Sequence, residues 1–114
     1  MARSKIVVKY FSDPNFREYH VSKEISLSHE IFKRPLRPRS NEYLKRVGKV
    51  GAELVRDIIA VPGVASVGIE SYHLWVSKGH AFEWAEIESY VVNALKQAVG
   101  TDVEVVEPTP FPYR

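Results

Sequence analysis

The chain has 114 residues, of which 45% are hydrophobic, and no apolar run approaches the ~18 residues a membrane-spanning helix requires. That length suits one domain burying roughly two-thirds of its unfolded surface. Sixteen Lys and Arg against fourteen Asp and Glu leave a net charge of +2, too small to imply a nucleic-acid partner by itself.

The chain has no cysteine, so it has no disulfide, no thiolate ligand and no cysteine nucleophile. Met1-Ala2-Arg3-Ser4-Lys5 lacks the long apolar core of a signal peptide. Both features fit a cytoplasmic protein without a membrane segment.

Residues 5–11 alternate, with Ile6, Val8 and Tyr10 on one face, which predicts a strand. Ser12-Asp13-Pro14-Asn15 is a turn cluster. Residues 17–22 alternate again, with Tyr19 and Val21 inward, so the two runs form an antiparallel hairpin. Residues 23–40 have no clean period and include Lys33-Arg34-Pro35-Leu36-Arg37-Pro38-Arg39. The two prolines exclude regular helix, leaving a basic loop with a short helical turn near His29 to Phe32.

Ser40 or Asn41 is placed to cap the first long helix. Leu44, Val47, Gly51, Leu54, Val55 and Ile58 form its apolar stripe, and the helix ends near Val61, before Pro62 and Gly63. Residues 64–70 and 72–78 make a second hairpin. In its later strand Tyr72, Leu74 and Val76 share one face, and His73, Trp75 and Ser77 share the other. Residues 83–99 form a second helix with Trp84, Ile87, Val91, Leu95 and Val99 or Ala98 inward. Residues 102–107 read as a fifth strand, closing a domain of residues 1–107, and 108–114 as an extended proline-rich tail.

The order β-β-α-β-β-α(-β) predicts an α+β two-layer sandwich, a mostly antiparallel sheet with both helices on one side. The other sheet face then has no helix to cover it. Phe11, His20, His73 and Trp75 fall on that face and form a candidate interaction surface. A second arrangement, preferred because large exposed apolar patches need a partner, folds residues 25–32 over it.

Lys33, Arg34, Arg37, Arg39, Lys45 and Arg46 form a candidate basic patch, suited to phosphate if they converge and otherwise a solvated loop. The four histidines, His20, His29, His73 and His80, have no metal-binding helical spacing, and no metal or other cofactor is expected. No serine lies in a glycine-flanked elbow, and Glu83, Glu86 and Glu88 complement a helix start. No catalytic constellation emerges, so the chain does not read as an enzyme.

A set of short motifs resembles the N-terminal domain of Nfu-type (NifU-like) iron–sulfur cluster scaffold proteins. Pro14-Asn15 follows the first strand, and Pro62-Gly63-Val64 precedes Ser66-Val67. Leu74, Val76, Ser77 and Lys78 end an alternating strand, and Trp84 opens the last helix. The chain departs from the pattern in its longer, more basic segment 23–40 and in Trp75, where the family usually has a small hydroxyl residue. The family's cluster chemistry belongs to a separate domain with a Cys-x-x-Cys motif, and this chain has no cysteine. The resemblance therefore implies a non-catalytic protein-interaction domain that serves iron–sulfur cluster assembly through partners. The alternative is a small nucleic-acid-binding module that uses the basic loop and the open-face aromatics.

Overall fold

The computed structural model describes residues 5–100 and 104–106. The predicted tail at 108–114 lies outside them. Eight elements follow in order: β1 (Lys5–Tyr10), β2 (Phe16–Val21), β3 (Glu30–Lys33), α1 (Ser40–Ile59), β4 (Val64–Ile69), β5 (His73–Lys78), α2 (Trp84–Val99) and β6 (Glu104–Val106). They build a six-stranded sheet in the order β3-β4-β5-β2-β1-β6. Every pairing is antiparallel except β1 with β6. This is the expected α+β sandwich with one added strand.

The added strand is β3, where the sequence suggested a helical turn. Four residues hold too little periodicity to tell strand from turn. Pairing with β4 decides it, matching Glu30 with Ile69 and Phe32 with Val67. Phe32 enters the core and Ile31 points out, 59% exposed.

Strand alternation sends Ile6, Val8, Tyr19, Val67, Ile69, Leu74 and Val76 to the helical side, all essentially inaccessible to water. Leu44, Val47, Leu54, Val55 and Ile58 of α1 and Ile87, Val91 and Leu95 of α2 meet them there. Those are the stripes read from the sequence. Tyr72 departs from its stripe: β5 begins one residue later, and Tyr72 sits in the hairpin turn, 53% exposed.

Helix α1 breaks at Gly48, whose φ of 87° and ψ of 177° are not helical and favour glycine. The break lets the segments on either side lay their apolar residues on the sheet at different angles. Gly51 lies against the preceding loop, where an added Cβ would come 3.0 Å from the carbonyl oxygen of Ile25. Neither predicted residue caps α1. Its N-cap position is Arg39, with no capping side chain, and the Ser40 hydroxyl accepts instead from the Arg37 amide at 3.2 Å. At the start of α2, Glu86 reaches back to accept from the Glu83 amide at 2.8 Å.

The motif residues gather at one corner. Trp84 donates its indole N–H to the carbonyl of Pro14 at 2.7 Å, and Lys78 donates to the Asn15 side chain at 3.0 Å. The Ser66 and Ser77 hydroxyls bond across β4 and β5, and the Gly79 amide donates to the carbonyl of Gly63 at 2.9 Å. Arg17 lies over the rings of Tyr10 and Trp84 and pairs with Glu88 of α2 at 2.7 Å. Tyr19, buried beneath, donates to the same carboxylate at 3.1 Å.

Replacing Leu54 or Ile87 by alanine is expected to destabilise the fold by about 2–5 kcal/mol, measured by urea unfolding. Tyr19 supplies a pH test. Burial first, and then the Glu88 carboxylate, push its phenol well above the ordinary tyrosine range. The folded chain keeps that proton where the unfolded chain loses it, so Tyr19 contributes a loss of stability as pH rises above about 10. Unfolding curves should show a shallower alkaline decline for Tyr19→Phe than for the wild type. Equal slopes would place the Tyr19 hydroxyl in water.

Candidate functional site

Among the described residues, no helix covers the sheet face opposite the core, and strand register fixes what it displays. One row runs Val7, His20, His73 across β1, β2 and β5. The next runs Lys9, Glu18, Trp75, Gly68, Ile31 from β1 to β3. A third runs Phe16, Ser77, Ser66, Lys33.

Three of the four predicted surface residues meet. The imidazoles of His20 and His73 stack with centroids 4.7 Å apart and planes 14° apart. Trp75 follows, 6.0 Å from His73. Each histidine has a carboxylate: His20 Nε2 lies 2.5 Å from Glu18, and His73 Nε2 lies 2.9 Å from Glu70. Phe11 stands apart from these three, packed edge-on at 5.2 Å against Phe16 of the third row.

Gly68 is what lets Trp75 lie flat. A Cβ at residue 68 would sit 1.9 Å from the indole ring, so the tryptophan occupies the space a side chain would fill. Gly68 carries no motif in the sequence, and its part appears only once β4 is paired with β5.

Residues 25–32 do not close over this face. Ile25 and Phe32 are buried on the helical side, and the Leu27 amide bonds to the Val47 carbonyl of α1 at 3.1 Å. His29 reaches across to meet Trp75 edge-on at 5.5 Å and Ile31 ends the Trp75 row, so the segment covers the face only in part. The result is a half-buried platform of two histidines and a tryptophan, edged by His29, Glu18 and Glu70. Among the described residues, no three His, Asp or Glu side chains are arranged to hold a metal.

The basic residues separate into different roles. Arg34, though exposed, donates to the carbonyls of Ala60 and Val61 just past the end of α1 and of Val64 at the start of β4, at 3.2–3.4 Å. Arg46 stacks on Tyr43 at 4.9 Å and lies 4.0 Å from Glu30. Lys33, Arg37 and Arg39 line a cleft of about 570 Å3 along β3, with Tyr43 on its far wall. Lys45 belongs to a second cleft, of about 510 Å3, in the bend of α1 with Lys49 and Arg56. Tyr43 and Arg56 were not singled out as site residues in the sequence, because Tyr43 meets the β3 cleft, and Arg56 the bend at Gly48, only once the chain is folded.

No family model matches the chain, and no curated protein matches it. Solved structures do. A NifU-like protein from Saccharomyces cerevisiae superposes with a TM-score of 0.60 at 16% identity, covering 91% of this chain and 85% of that one. The crystal structure of the Staphylococcus aureus protein SAV1430 superposes with a TM-score of 0.57 at 16% identity, covering 80% of this chain and 98% of that one. Its solution structure gives 0.53 at 13% identity. These likenesses establish the fold as that of a NifU-like domain. Among the described residues, no helix is long and apolar enough to cross a membrane.

Gly68→Ala should lift the Trp75 ring off the sheet. Made together with Trp84→Phe, so that Trp75 is the sole emitter, the change should red-shift tryptophan fluorescence relative to Trp84→Phe alone. An unchanged spectrum would mean that the ring does not rest on Gly68.

Proposed function

We propose that this chain is a non-catalytic interaction domain that serves iron–sulfur cluster assembly by docking to partner proteins. The observation that carries this reading is the open sheet face, with the stacked pair His20 and His73 and the adjoining Trp75 on a NifU-like fold. Aromatic groups on a rigid, half-buried surface are the kind of anchor protein interfaces use, offering large contact area at small entropic cost.

A nucleic-acid role draws less support. Glu18 sits directly opposite Trp75 in the β2–β5 register, and Glu70 pairs with His73, so a phosphate backbone crossing this face would meet two carboxylates. Cations without an acidic partner among the described residues line clefts away from Trp75, along β3 and in the bend of α1.

Without thiolates, the chain is expected to hold no cluster itself. Anaerobic reconstitution with iron and sulfide should leave no stable visible chromophore on the purified protein. In its native host, affinity capture should enrich cluster-assembly proteins, and Trp75→Ala should abolish that enrichment while the thermal midpoint holds. A stoichiometric chromophore on the chain alone would overturn the accessory role. Enrichment indifferent to Trp75 would overturn the open face as its surface.

A further inference from the structure

Strand β3 is an edge strand, and among the described residues none pairs with its outer side. The Arg34 amide donates to the Ala65 carbonyl at 3.0 Å, and on the other side of β4 the Glu70 amide donates to the His73 carbonyl at 2.8 Å. Antiparallel alternation then turns the main-chain groups of Glu30 and Phe32 toward β4 and those of Ile31 and Lys33 outward. Among the described residues, no backbone or side-chain group bonds to the N–H or C=O of Ile31 or Lys33. Beside this edge lies the cleft of about 570 Å3, and four consecutive residues, Ile31 to Arg34, line it. The cleft therefore runs along the strand.

The lining combines apolar surface with one sign of charge. Ile31 and Tyr43 are 59% and 38% exposed, and Pro35 adjoins them. Lys33, Arg37 and Arg39 supply cations, and no carboxylate lines the cleft. None of these three cations pairs with an acidic residue among the described residues. A row of free main-chain donors and acceptors beside a cleft is the arrangement to which an extended peptide adds as a further strand. The cations select its sequence.

We propose that the β3 edge binds an extended acidic peptide segment of a partner protein by strand addition, with its carboxylates meeting Lys33, Arg37 and Arg39. This edge borders the open sheet face, since Ile31 and Lys33 end two of its rows, but its outward main-chain groups and Arg37 and Arg39 lie outside those rows, so substitutions there test it apart from Trp75. A second copy of this chain is a poor occupant, because edge-to-edge pairing would bring the same cations together twice. A phosphate backbone would answer the charge but leave the main-chain edge unmatched.

The probe is a short fluorescent peptide alternating glutamate and valine, with two controls: its lysine–valine counterpart and a version N-methylated at alternate residues. Anisotropy should show binding of the first alone. Lys33→Glu with Arg37→Glu should weaken it by about tenfold or more, with the thermal midpoint retained. Amide exchange by NMR should slow at Ile31 and Lys33 when the peptide is added, and not at the already paired Phe32. Absence of binding would mean that Lys33 merely guards the edge, and would overturn the proposal. So would equal binding of the N-methylated peptide or indifference to the charge reversals. Tighter binding of single-stranded RNA through the same cations would replace the peptide with nucleic acid. Concentration-dependent self-association that slows the same two amides would replace it with a second copy.

Discussion

One helical layer has to close the apolar face of a six-stranded sheet, and two helices are the only ones available among the described residues. A straight helix of α1's length would run about 30 Å, further than its apolar stripe could follow one twisted sheet surface. Gly48 resolves this by ending one helical segment and starting another. Leu44 and Val47 before the break, and Leu54, Val55 and Ile58 after it, all reach the core. The same break leaves a concave bend on the solvent side, lined by Lys45, Lys49 and Arg56. A packing requirement on one side of the helix thus shapes a surface on the other.

A second consequence of the single layer is that α2 must be held in place over β2 and β5. Its N-terminus is tied to the β1–β2 turn by Trp84, and its first turns to β2 by Glu88, which takes both Arg17 and Tyr19. Two cations, Arg17 and Lys78, lie over the aromatic ring of Trp84. Pro14, Asn15, Lys78 and Trp84, spread over seventy residues of sequence, act as one structural joint. These four are among the residues that suggested a family from the sequence, and their shared place at the corner explains why they signal a fold and name no chemistry.

The uncovered half of the molecule divides into two surfaces of different character. The open face presents rings with carboxylates beside them, and the β3 edge presents free main-chain groups with cations beside them. Opposite charge and different geometry suit them to different contacts. A flat aromatic platform favours a folded partner, whereas a strand edge favours an extended one.

Periodicity along the chain determined the four principal strands, both helices and nearly every core residue. Ile6, Val8, Tyr19, Leu54, Leu74, Ile87 and Val91 could each be assigned inward because strand and helix periods are local properties. It also placed His20, His73 and Trp75 together on one open face, whereas Phe11 stands apart from them, against Phe16. Three things were decided only in three dimensions. Glu30–Lys33 became a strand because β4 offered it partners, and no local signal in four residues could say so. The basic run from Lys33 to Arg46 dispersed, with Arg34 engaged by the carbonyls of the turn between α1 and β4, because charge in a sequence carries no direction. Trp75 settled over Gly68 because β4 and β5 pair in that register, and a glycine's meaning depends on what lies across from it.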